Sequence, residues 1–305
     1  MSYSFLKESK LFIVYGGNKY RVYTNAALDF SQTFAQDSYP VKTLHNQAKM
    51  VEGATITTAN AADFSFGVPL TKEKDESPII SLIEGLSSDN QLTSFDMYVQ
   101  TNSAVFKVDS AHITSADFDI SPNSQFTVRV QGQGTKLEKV GNESYTIPGE
   151  LQSESSSRTP LLVYPVVSID SLNMNNIVST TFSITNETTW SAYKTLQKSL
   201  SVTNSSNMMR PSDYVVEKRN ISGNIVQYQT DNNINQFDDF STSSNITIKA
   251  VEVCKAASAT PFLQIQLNPA SFTARMAVAD AFTQSYDYRL VDNSTTFANI
   301  ITQYS

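Results

Sequence analysis

Apolar and polar residues alternate at a spacing of two through much of this chain. Tyr20-Arg21-Val22-Tyr23, Ala54-Thr55-Ile56-Thr57-Thr58, Asp63-Phe64-Ser65-Phe66-Gly67-Val68, Phe118-Asp119-Ile120 and Phe126-Thr127-Val128-Arg129-Val130 all follow it. Such a period sends every second side chain to a buried face and predicts strands of half-buried sheets. Helical spacing is rarer. Residues 78–84 are the clearest case: Ser77 can cap, Pro78 suits the first turn, Ile79, Ile80, Leu82 and Ile83 form an apolar stripe, and Gly85 can close it. A second candidate covers 191–200, where Trp190, Tyr193, Leu196 and Leu200 fall at three- and four-residue steps. Residues 251–259 read equally as a short helix or the end of a strand. The expectation is a mainly β fold with short flanking helices.

The pattern occurs twice. Phe30-Ser31 is matched by Phe182-Ser183, and Lys42-Thr43-Leu44 by Lys194-Thr195-Leu196, at one and the same offset. Gly53-Ala54-Thr55-Ile56 then lines up with Gly223-Asn224-Ile225-Val226, Phe106 with Phe262, and Phe126-Thr127-Val128-Arg129-Val130 with Tyr286-Asp287-Tyr288-Arg289-Leu290. The order is preserved while the offsets drift, which points to a tandem duplication. Residues 141–160, rich in Ser, Glu, Gly and Pro, read as a linker. The expected organisation is a first domain over 1–140, the linker over 141–160 and a diverged second domain over 161–305. A length of 305 residues agrees, since domains typically hold about 100–150.

Composition narrows the function classes. Only 17% of residues are charged, and Tyr 14 and Phe 17 supply anchors for strands, which excludes coiled coils and highly charged disordered chains. A net charge of -7 gives no basic field to hold phosphate backbones, so specific nucleic-acid binding is disfavoured. The single cysteine, Cys254, excludes a disulfide framework and a cysteine-cluster metal site, and is expected to be a small buried hydrophobe. The apolar run Leu11-Phe12-Ile13-Val14-Tyr15 is shorter than the roughly 7–15 residues of a signal core and the roughly 20 of a membrane helix. A soluble, unprocessed chain without membrane insertion is expected.

Candidate chemistry is sparse. His45 and His112 are the two histidines and stand far apart, so neither a two-histidine metal helix nor a Ser/His/Asp relay can be assembled. The glycines of Gln131-Gly132-Gln133-Gly134-Thr135-Lys136 follow a strand without opening a helix and lack a phosphate-loop ending, so a turn is expected there. Asp231, Asn233 and Asn235 begin like a calcium loop, but Gln236 stands where glycine is needed and Thr242 where a bidentate glutamate is needed. Lys72-Glu73-Lys74-Asp75-Glu76 reads as a solvated loop, with an interaction patch as the alternative. Six Asn-x-Ser/Thr triplets, from Asn142 to Asn293, are ascribed to chance in an Asn/Ser/Thr-rich chain. No catalytic residue, cofactor site or metal site is expected.

A family resemblance rests on several segments together. Leu28-Asp29-Phe30-Ser31-Gln32-Thr33-Phe34, Tyr39-Pro40-Val41-Lys42-Thr43-Leu44, Val51-Glu52-Gly53-Ala54-Thr55-Ile56-Thr57 and Asp63-Phe64-Ser65-Phe66 resemble the tail tube (major tail) proteins of long-tailed bacteriophages. The stretch from Thr181-Phe182-Ser183-Ile184 to Tyr286-Asp287-Tyr288 looks like a diverged second copy of the same tube domain. The resemblance implies two tandem β-sandwich or barrel domains whose sheets join between chains into a closed tube. It implies a structural virion protein of the tail, assembled in the host cytoplasm as trimeric rings with pseudo-sixfold symmetry that stack into a channel for DNA ejection. The implied partners are further copies of the chain, tape-measure, tail terminator and distal tail or baseplate proteins, with genomic DNA passing through without specific binding. On the strand over 116–121, Asp117 and Asp119 project away from Phe118 and Ile120 and are candidates for the lumen, with an outer solvated face as the alternative. Lys42, Thr43, Leu44, Lys194, Thr195 and Leu196 are candidates for contacts within or between rings, with ordinary surface loops as the alternative. The competing classes are a non-enzymatic binding module, such as a terminator, hub or adhesin, and an enzyme on a β scaffold. An enzyme would need a clustered acid, base or nucleophile, which the sequence does not display.

Overall fold

The computed structural model describes residues 9–24, 28–39, 54–86, 91–122, 124–170, 172–190, 208–230, 244–278, 282–291 and 300–303. Among them the chain is mainly β, with one helix. The first half contains β1 (Lys10–Tyr15), β2 (Asn18–Val22), β3 (Asp29–Tyr39), β4 (Ala54–Pro69), α1 (Ser77–Glu84), β5 (Phe95–Gln100), β6 (Val105–Ile120), β7 (Thr127–Gly134) and β8 (Lys136–Gly141). A two-residue strand, β9 (Glu150–Leu151), precedes the second half. There follow β10 (Val163–Ile169), β11 (Leu172–Asn173), β12 (Ile177–Trp190), β13 (Met208–Met209), β14 (Tyr214–Tyr228), β15 (Ser244–Glu252), β16 (Leu263–Val278), β17 (Phe282–Leu290) and β18 (Ile301–Gln303).

The two halves pair their strands in the same way. β1 pairs with β2 and β5 as β10 pairs with β11 and β15. The order β3–β4–β7–β6 recurs as β12–β14–β17–β16, antiparallel throughout. β6 and β16 are long strands that serve two layers. The first part of β6 lies between β5 and β8, and the first part of β16 between β15 and β18. Their later parts belong to the four-stranded units. With Phe30 matched to Phe182 by sequence, register gives further counterparts: Phe30 faces Phe64, which faces Gly132, while Phe182 faces Gly223, which faces Tyr288. Gly223 therefore occupies the place of Phe64, not that of Gly53, and Tyr286 the place of Val130, not that of Phe126.

The alternation read from the sequence becomes burial. In β6, Ala116, Phe118 and Ile120 are buried while Asp117 and Asp119 are exposed. One hydrophobic cluster draws on both halves, joining Phe64, Phe118 and Phe126 to Phe182, Tyr286 and Tyr288. A smaller cluster of Phe12, Tyr98, Val105 and Ile147 fixes the 141–160 segment to the outer sheet. At roughly 1.5–3 kcal/mol per large side chain removed from water, this burial dominates the stability of the fold.

Several local expectations change. The two strand signals at 54–58 and 63–68 form the single strand β4. α1 buries Ile79, Ile80, Leu82 and Ile83 as its spacing requires, but Ser77 lies inside it and its hydroxyl donates to the Lys74 carbonyl rather than capping. Gly132 and Gly134 lie within β7 instead of a turn. The 72–76 run is not a solvated loop: Glu73 accepts from the Thr159 N–H at 2.9 Å, Asp75 from Ser155, and buried Glu76 from Arg158. Residues 251–259 end β15 and enter a turn, where Cys254 is exposed with φ of 79° rather than buried. The 191–200 candidate, His45, and the 231–242 segment lie outside the described residues.

Candidate functional site

The two four-stranded units meet along one strand edge. β6 pairs antiparallel with β12: Ser115 faces Thr185, Ala116 faces Ile184, Asp117 faces Ser183, Phe118 faces Phe182, Asp119 faces Thr181, and Ile120 faces Thr180. The alternation of both strands dictates the consequence, because directly opposed residues share a face. On the buried face the Phe118 and Phe182 rings lie 5.6 Å apart, and Phe126 joins them 6.4 Å from Phe118. On the polar face the Ser183 hydroxyl donates to an Asp117 carboxylate oxygen at 2.6 Å. A row of polar residues crosses the seam without a break, from Arg129 through Asp117, Ser183, Ser222 and Arg289 to Ser271.

Further contacts stop the units from hinging about that edge. His112 of β6 stacks on Tyr214 of β14 with centroids 3.9 Å apart, and Trp190 of β12 lies 5.3 Å from the same imidazole. Burial lowers the His112 pKa to about 4, against a weaker upward pull from the Ser110 backbone. Trp190 Nε1 donates to Gln133 Oε1 at 2.7 Å, and the Tyr214 hydroxyl donates to the Leu92 carbonyl at 3.1 Å. Arg219 of β14 donates to the carbonyls of Ile83 and Glu84, each at 3.2 Å, and so closes the C-terminal end of α1. Burial lowers the Arg219 pKa and raises that of Glu84, whose carboxylate accepts from the Ile301 N–H.

Each half leaves one edge of its unit without a strand partner among the described residues. β3 pairs with β4 on one side, and the later part of β16 pairs with β17 on one side. Near these edges lie exposed apolar side chains, Phe34 at 52% and Met276 at 47% exposure. An open depression of about 760 Å³ is lined by Thr185, Lys218, Arg219, Asn220 and Arg289 among others, and these side chains bring no acid–base pair to a reacting position. No cluster of three or more metal-ligating side chains occurs among the described residues. No helix among them is long and apolar enough to cross a membrane.

Of the site residues expected from sequence, Asp117 and Asp119 stand together on the exposed polar face at the seam. Lys42, Thr43, Leu44, Lys194, Thr195 and Leu196 lie outside the described residues. Sequence reasoning missed the edge pairing of β6 with β12, the His112–Trp190–Tyr214 stack and the Arg219 cap. The matching alternation of 116–120 with 180–184 is the one signal that could have suggested the first.

Fold and seam together define a mainly β protein whose two four-stranded units are joined through a strand edge. The chain matches the Bacteriophage Baseplate Tube Protein Family over residues 1–304 and belongs to that family. It is thus a structural phage tail or baseplate component of the virion. No curated protein matches it.

Proposed function

We propose that this chain builds a tube segment at the baseplate end of the phage tail, as rings of tube domains joined edge to edge around a channel. The β6–β12 seam carries the reading. One chain already holds two four-stranded units joined through strand edges, and among the described residues each unit has a further edge without a strand partner. Exposed edges are usually blunted or covered because they invite pairing, and complementary edges used head to tail form a ring when the rotation between units closes. With residues 1–140 and 161–305 as the two tube domains and 141–160 as their linker, a trimer would present six units with pseudo-sixfold symmetry.

In such a ring the polar face would line the channel. Asp117 and Asp119 would repel phosphates and let DNA slide during ejection, whereas a basic lining would retain it. Lys42, Thr43, Leu44, Lys194, Thr195 and Leu196 would contribute contacts within or between rings. Stacking would engage tape-measure, terminator and distal tail or baseplate proteins, with assembly in the host cytoplasm and no catalytic step. Electron microscopy of the purified chain over a concentration series, with light scattering for mass, tests this. Hollow three-chain rings or tubes are the expected result; a compact monomer at every concentration, also with the phage's own baseplate proteins added, would overturn it.

A further inference from the structure

We infer that β16 of one chain pairs antiparallel with β3 of the next in one defined register, with Met276 facing the neighbour's Phe30 and Arg275 facing the neighbour's Ser31. The inference rests on the ring reading above and adds the residues of a contact that a single chain does not contain.

The register is anchored on the sequence match of Phe30-Ser31 with Phe182-Ser183 and follows the strand pairs from there. Phe182 and Phe30, matched in sequence, both lie on the first strand of their units and face Gly223 and Phe64 on the next strand. Following the pairs across each unit makes Val130 the counterpart of Tyr286, and hence Ala116 the counterpart of Ala274. Arg275 then stands at the place of Asp117, and Met276 at the place of Phe118. Transferring the β6–β12 seam sets Ala274 opposite Gln32, Arg275 opposite Ser31, Met276 opposite Phe30 and Ala277 opposite Asp29 of the neighbouring copy.

Two observations favour this occupant. Phe118 is fully buried against Phe182, whereas its counterpart Met276 is 47% exposed, as expected of an apolar residue whose covering strand belongs to another chain. The charges also change together. Asp117, facing Ser183 with Thr181 diagonal to it, is replaced at the open edge by Arg275, and Thr181 is replaced by Asp29. A cation thus appears on one edge where an anion appears on the other, within the diagonal reach of long side chains across an antiparallel pair. In the isolated chain the Arg275 side chain is 73% exposed and pairs with Asp287 of the adjacent strand β17, at 3.3 Å. The edges are complementary head to tail, which selects closure over stacking like edges together.

Cysteine cross-linking in full-length chains tests the register, in a Cys254→Ser background because Cys254 is exposed. Met276→Cys with Phe30→Cys should, on mild oxidation, give covalent dimers and trimers that reductant dissolves, since facing Cβ atoms lie at about 4.5–5.5 Å, near disulfide geometry. Met276→Cys with Ser31→Cys places the thiols on opposite faces and should remain monomeric in denaturant. A second arm uses exposed residues that leave the core intact: Arg275→Asp should raise the concentration needed for ring formation about tenfold or more, and adding Asp29→Arg should restore it. Rings by microscopy without the specific cross-link, or with the two cross-linking pairs equivalent, would overturn the register while leaving the tube reading standing. Absence of any rings from the unaltered chain would remove both.

Discussion

The ring of Phe64 in β4 lies across Gly132 in β7. A methyl group at that glycine would sit 2.1 Å from the ring and 2.4 Å from the His112 carbonyl oxygen. The second half holds the same volume in the opposite order: Gly223 in β14 lies under Tyr288 in β17, where a methyl group would sit 2.3 Å from the phenol oxygen. Each unit thus fills one cross-strand site with one aromatic ring and one glycine, and close-packed sheets leave no slack for a second side chain. Gly132→Ala should lower stability by about 1–3 kcal/mol through overpacking, read as a reduced denaturant midpoint with unchanged slope. An unchanged midpoint would show that the Phe64 ring turns aside and that the backbone at His112 gives way as well.

Arg219 ties α1 to the second half by donating to two carbonyls that the helix cannot satisfy itself. Arg219→Met keeps the bulk and removes the donors, leaving those carbonyls and the partly buried Glu84 carboxylate without their cation. We expect a loss of about 2–4 kcal/mol, with hydrogen-exchange protection falling first across 77–86. Arg219→Lys should recover only part, because one ammonium does not reproduce the two-pronged geometry. Equal stability of Arg219→Met and the unaltered chain would remove the cap as a structural tie.

His112 makes the fold acid-sensitive. Its folded pKa is about 4, below the ordinary 6.5, because burial between Tyr214 and Trp190 disfavours the charged ring. From about pH 6.5 down to about 4 the unfolded chain binds a proton that the folded chain does not, so stability falls as pH falls, by up to about 3 kcal/mol. His112→Phe preserves the stack and should flatten this part of the profile. Chemical denaturation across that range checks it, and parallel profiles for the two chains would rule out His112 as the source.

Much of the architecture can be read from the residues because it is local. The period of two in 116–120 and 126–130 reports which side chains are buried, and the apolar stripe of 79–83 reports the face of α1. Contacts between distant strands are not local. Nothing around Gly132 announces that Phe64 lies over it, so a Gly-x-Gly pair inside β7 reads as a turn. Likewise, the charges of 73–76 meet Ser155, Arg158 and Thr159 only after the chain has folded back. Asp117 and Asp119 were identifiable as exposed residues of a strand, but their position at a seam depends on which edge meets β12, a choice made by the whole sheet.

Asp117 and Asp119 also provide the sharpest test of what the polar face does. Both are exposed, and among the described residues Asp117 contributes to the seam a surface hydrogen bond from Ser183, beside a buried Phe118–Phe182 contact that can hold the edge without it. Replacing both by lysine should therefore leave ring formation intact while shifting each chain's charge by four units, about twelve per three-chain ring on the proposed ring geometry. If this face lines the channel, rings carrying Asp117→Lys and Asp119→Lys should retain double-stranded DNA with an affinity that falls steeply as salt rises, and phage built from them should eject more slowly. Rings of the unaltered chain should show neither effect. If the doubly substituted rings bind DNA on their outer surface and ejection proceeds at the unaltered rate, the polar face is the outside of the tube and the packed side faces inward.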